Sequence, residues 1–133
     1  DGLWNLIRLN PNEIDTGTWY YLPSTQYLRL MHKEITGYEA KLSKAVYKKE
    51  DMPGNDLMSL ILEYPELDRT LEIIYEMDFP HQIAGWKETR KSGFGAQTET
   101  LETTARRSHQ IMEPYWNLNG NKDSIYRQKL GLD

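Results

Sequence analysis

At 133 residues the chain has room for one domain with a single core and not for two ordinary ones. Hydrophobic residues make up 38% and charged residues 27%, and four tryptophans and nine tyrosines set the composition apart from that of a disordered chain. A formal net charge of −4 argues against a dedicated nucleic-acid binder, and the lack of cysteine excludes a disulfide framework and thiolate chemistry.

No run approaches the roughly 18 apolar residues of a membrane span, so the chain reads as a soluble, acidic protein with no spanning segment. Freedom from cysteine leans toward an intracellular setting. The start at Asp1 reads as that of a processed product, a fragment or the ordered part of something longer.

In chain order, residues 1–23 read as an irregular, aromatic-rich lead wrapped over the rest. Within it "LWNLIRL" suits a short helix or strand and "TWYYL" a short extended piece, in which Trp19 and Tyr21 share one side and Tyr20 takes the other. After Pro23 and the capping candidate Ser24, the residues Leu28, Met31, Ile35, Tyr38, Leu42 and Ala45 alternate three and four apart. That spacing predicts an amphipathic helix over 25–49, presenting a packing seam to a partner helix. Lys41, Lys44, Lys48 and Lys49 crowd its C-terminal half, where cations favour the helix dipole.

Pro53-Gly54 breaks the chain. Leu57, Leu60, Ile61 and Tyr64 then fit one helical face, although the alternation of Met58, Leu60, Leu62 and Tyr64 suits a strand equally; helix is the preferred reading. Pro65 suits the first turn of a further helix with Leu67, Leu71, Ile74 and Tyr75 inward. A short helical turn is expected after Pro80, and "KETRKSGFGAQ" reads as an exposed loop. From Thr98, Leu101, Ala105, Ser108, Met112 and Tyr115 recur at helical spacing and predict a third long helix ending near Pro114. A short final helix follows over 123–130. The expected fold is therefore mostly α: one domain, a small helical bundle of three principal helical segments at 24–133, with α+β as the alternative.

Candidate chemistry is sparse. His32, His81 and His109 lie beyond helical reach of one another, and no metal-ligand spacing is present. The tightest local pair, Asp78 with His81, straddles Pro80. Ser108 and His109 are adjacent, which on a helix points them about a hundred degrees apart, and no Gly-x-Ser-x-Gly turn exposes a nucleophile. The many carboxylates of 50–78 read as a solvated acidic face. "RKSGFG" lacks the glycine and lysine spacing of a phosphate-cradling loop. No catalytic residue, metal ligand or cofactor is singled out, and whether the chain is an enzyme stays open, with a non-catalytic role the preferred reading.

The leading functional expectation is a structural, protein-binding assembly subunit that docks on a larger protein or forms a homo-oligomer. Its expected contacts are Trp19, Tyr20, Tyr21, Leu28, Met31, Ile35, Tyr38 and Leu42, with charged helix faces beside them. The alternatives are a nucleic-acid or polyanion binder using Lys41, Lys44, Lys48, Lys87, Arg90 and Lys91, with Phe94 stacking on a base, and a carboxylate and histidine enzyme acting on a carbohydrate. For the last, His81 with Asp78 or Glu76 is the first target.

Overall fold

The computed structural model describes residues 2–93 and 97–132, and strands stand within each of the principal segments where periodicity predicts a helix. Helix α1 (Gly2–Leu9) leads into β1 (Gly17–Tyr21), and the short helix α2 (Thr25–Leu30) precedes β2 (Tyr38–Val46). Strands β3 (Leu57–Tyr64), β4 (Arg69–Glu76), β5 (Ile83–Ser92) and β6 (Glu99–Arg106) follow, and a short helix α3 (Ile125–Lys129) lies near the end of the chain. The six strands form one antiparallel sheet in the order β1-β2-β3-β4-β5-β6, each strand beside its sequence neighbour.

The helical bundle is thus overturned, and each error has a physical source. The seam predicted over 25–49 joins two structures. Leu28 belongs to α2, whereas Tyr38 and Leu42 belong to β2, where a spacing of four places residues on one face of a strand as it does on a helix. Between them α2 is stopped by His32, held at a left-handed φ of 51°. The Lys33 amide donates to the Leu28 carbonyl at 2.8 Å and the His32 amide to that of Arg29 at 3.3 Å, the paired bonds of a Schellman ending.

"LMSLILEY" is the strand β3 and not a helix. The helix expected after Pro65 is a single 3-10 turn, Pro65–Leu67, followed by β4. Asp68, with φ of 46°, reverses the chain between them. The expected exposed loop is largely strand β5, and the third long helix is strand β6. The short helical turn expected directly after Pro80 does not form; residues 81–82 are irregular and β5 follows. The expectations for Phe94 and Gly95 lie outside the described residues.

The sheet has two differently covered faces. On one, Ala40 and Leu42 of β2, Leu60, Leu62 and Tyr64 of β3 and Ile73 and Tyr75 of β4 pack with Ile7 of α1 and Tyr27 and Leu28 of α2 into the main core. On the other, the loop 47–56 lays Tyr47 and Met52 over Leu57, Ile74 and Ala84. Both β3 and β4 are therefore buried on both faces along part of their length, and their sequences read as apolar runs instead of clean alternations. Burial of each large aliphatic side chain contributes about 1.5–3 kcal/mol, so these two strands are the centre of stability. Among the described residues no helix is long and apolar enough to cross a membrane.

Candidate functional site

Helices α1 and α2 do not close fully on the sheet. Between them and strands β3 to β5 lies a cavity of about 780 Å³. Leu3, Trp4 and Leu6 of α1, Tyr27 and Leu30 of α2 and the capping residue Met31 form one side, and the segment 21–24 joins them. Leu62, Leu71, Ile73 and Trp86 supply the apolar floor. No residue of β6 belongs to these walls, and β6 is exposed along nearly all of its length.

Among the described residues three charged side chains, Arg69, Glu88 and Arg90, line this mainly apolar space, with the polar Ser24, Thr25 and Gln26 around the start of α2. Strand register explains why they meet. Arg69 lies directly opposite Arg90 and Leu71 opposite Glu88, and the alternation of β5 turns Trp86, Glu88 and Arg90 to one face while Lys87 and Thr89 take the other.

Arg69 is charge-paired. Its Nε donates to Glu88 Oε1 at 2.6 Å, and its side chain is only 5% exposed. Its guanidinium also sits 4.6 Å from the centre of the Tyr27 ring and 5.4 Å from that of Tyr64, two cation–π contacts that hold the charge in place. Tyr27 donates its hydroxyl to the Leu67 carbonyl at 3.4 Å, and burial raises the pKa of both tyrosines.

Arg90 differs. Its Nη1 donates to the Met31 thioether at 3.4 Å, a weak acceptor, and no carboxylate pairs with it among the described residues. Among the described residues, two arginines and one glutamate leave the cavity lining with one cation in excess.

A second charged group stands on the opposite face. Lys87 Nζ lies 2.7 Å from Asp51 Oδ2 and 5.3 Å from the Tyr47 ring, while the Tyr47 hydroxyl donates to Asp51 Oδ1 at 2.6 Å. Hydrogen bonds from Lys87 and then Tyr47 lower the Asp51 pKa to about 2, and the bond to Asp51 leads the causes that raise Lys87 to about 12. The Tyr47 hydroxyl is pushed up, first by burial and then by its bond to Asp51. This group is closed and neutral.

The residues singled out from sequence are scattered. Leu28, Tyr38 and Leu42 are core, Met31 and Tyr21 stand at the cavity, Ile35 is exposed, and Trp19 and Tyr20 project from the edge strand β1. Of the basic set, Lys41 and Lys48 are exposed, Lys44 Nζ donates to the Pro11 carbonyl at 2.6 Å, and Lys91 pairs with Asp68 at 3.0 Å. With Lys87 and Arg90 on opposite faces of β5, no single basic surface gathers them.

His81 does not meet Glu76, which holds Arg107 at 2.6 Å, and its amide bonds the Asp78 carbonyl at 2.8 Å. Sequence reasoning missed Arg69, Glu88, Trp86 and Trp4 as site residues. The available signal was the alternation Trp86, Glu88, Arg90 beside a strand of the same period.

No family model, curated protein or solved structure matches the chain.

Proposed function

We propose that this protein binds a small, largely apolar molecule in the cavity between α1, α2 and strands β3 to β5. The carrying observation is the cavity itself: about 780 Å³, walled by Trp4, Trp86, Leu62, Leu71 and Ile73, with a few polar groups converging at one place. Pockets for small molecules run to roughly 300–1,000 Å³ and combine apolar walls with a small number of placed polar groups. The groups present suit holding and orienting a ligand more than transforming it, since Glu88 and Arg69 are engaged with each other.

Titration with the neutral dye N-phenylnaphthylamine tests the reading. Saturable fluorescence enhancement at one site is expected, lost in Leu71→Trp, which fills the floor. A homologous series of alkanols should displace the dye about fourfold more tightly per added methylene, the equivalent of about 0.8 kcal/mol of apolar burial. A folded protein that gives no saturable signal, or a Leu71→Trp variant that binds unchanged, would contradict it.

A second reading, assembly through β1, is favoured by one observation. This edge strand carries no charged residue, and Trp19 and Tyr20 are 50% and 76% exposed on its two faces. The charged helix faces once expected beside it are strands and loops, so only the aromatic half of that surface supports the reading. Light scattering on the wild type and on Tyr20→Lys tests it: an oligomer that the substitution dissociates supports assembly, and a wild-type monomer throughout the accessible concentration range counts against it.

A further inference from the structure

We infer that the molecule taken into the cavity carries a single negative charge, a carboxylate on an apolar body, and that Arg90 receives it. The inference rests on the cavity being a binding site and specifies the ligand class.

Arg69 and Arg90 stand directly opposite each other in the β4–β5 ladder, a placement that puts like charges side by side. Glu88 lies on the same face of β5 and can relieve one of them. It relieves Arg69, with which it shares a 2.6 Å bond, and the Tyr27 and Tyr64 rings complete the enclosure of that guanidinium. Arg90 keeps its full charge at the cavity wall, answered by the Met31 sulfur alone among the described residues. A planar guanidinium offers five donors in a fork that matches a carboxylate, and a thioether uses one of them weakly. An entering carboxylate would therefore replace the weak contact and cancel the excess charge in one step.

The charge count also selects among anions. One uncompensated cation matches a monoanion, whereas a dianionic phosphate would meet Glu88 with its second charge unanswered. The apolar walls on α1 and on the floor of the sheet would then cover the body of the ligand.

Calorimetric titration with decanoate and with decanol at pH 7.5 separates the possibilities. Decanoate should bind about tenfold or more tightly than decanol, the scale expected for charge-assisted hydrogen bonds over neutral ones. In Arg90→Gln the decanoate affinity should fall to that of decanol while decanol binding stays at its wild-type value, which also shows that the variant is folded. Equal binding of the two by the wild type, or an acid preference that survives Arg90→Gln, would overturn the carboxylate inference and leave the cavity reading standing. Failure of both compounds to bind the wild type would overturn the cavity reading and the inference together.

Discussion

The two charged groups on β5 are built from the same kinds of parts and end in opposite states. On the face under the loop 47–56, Lys87, Asp51 and Tyr47 satisfy one another, and charge and carboxylate cancel. On the cavity face, Arg69, Glu88, Tyr27 and Tyr64 do the same, yet Arg90 remains over. A satisfied cluster fixes a loop or a strand pair. The surplus cation beside an unfilled apolar space is what separates a binding wall from a structural clamp, because a charge kept partly out of water without a counter-ion opposes folding unless something else uses it.

Removing carboxylates one at a time sharpens this contrast. Glu88→Gln leaves the guanidinium of Arg69 buried without a counter-ion and beside Arg90, and should cost about 3 kcal/mol, read from the urea unfolding midpoint. A loss no greater than that of an exposed ion pair would show that the cavity-side pair is not the clamp described. Next in size is Gly85→Ala. Its new Cβ would collide with the Ala105 carbonyl oxygen and lie 2.6 Å from the Met52 sulfur, so both the β5–β6 pairing and the loop 47–56 must shift. A destabilisation of about 2 kcal/mol is expected, and a neutral result would mean that the loop does not lie against the sheet there.

The Lys87–Asp51 group makes a pH prediction. The folded pKa of Asp51, lowered from 3.8 to about 2, means that its stabilisation is complete above about pH 4 and is lost as pH falls through about 2. Lys87, raised from 10.5 to about 12, contributes fully below about 10.5 and loses its contribution as pH rises through 12. The wild-type unfolding midpoint should therefore drop more between pH 4 and pH 2 than that of Asp51→Asn; parallel acid curves would contradict the pairing. The smallest effect belongs to Lys91→Ala, which breaks a well-exposed pair with Asp68 and should change stability by no more than about 0.5 kcal/mol.

Parts of this architecture were legible in the residues. "TWYYL" is extended as β1, Pro53-Gly54 lies in a turn region, and "LWNLIRL" is α1. What misled was periodicity. Tyr38 and Leu42 are four apart, which is one face of either structure, and the intervening Ala40, buried as the strand requires, is small enough to pass as neutral. In β3 and β4, burial on both faces erased alternation. In β6, exposure on both faces left Leu101 and Ala105 to mimic a helix.

The site was hidden for a related reason. Glu88 and Arg90 occupy positions of β5 that a purely structural strand would fill with apolar side chains, so the stretch read as a loop. Such local disagreement between pattern and fold is expected where a strand serves a site as well as a core.

The most direct measurement uses the tryptophans. Trp4 and Trp86 line the cavity, whereas Trp19 and Trp116 do not. In a titration of the protein with decanoate followed by NMR, the indole N–H signals of Trp4 and Trp86 should move and saturate together, with those of Trp19 and Trp116 unchanged. Saturating shifts confined to Trp19 or Trp116, or no shift at any of the four at saturating ligand, would contradict the claim that this cavity is the binding site.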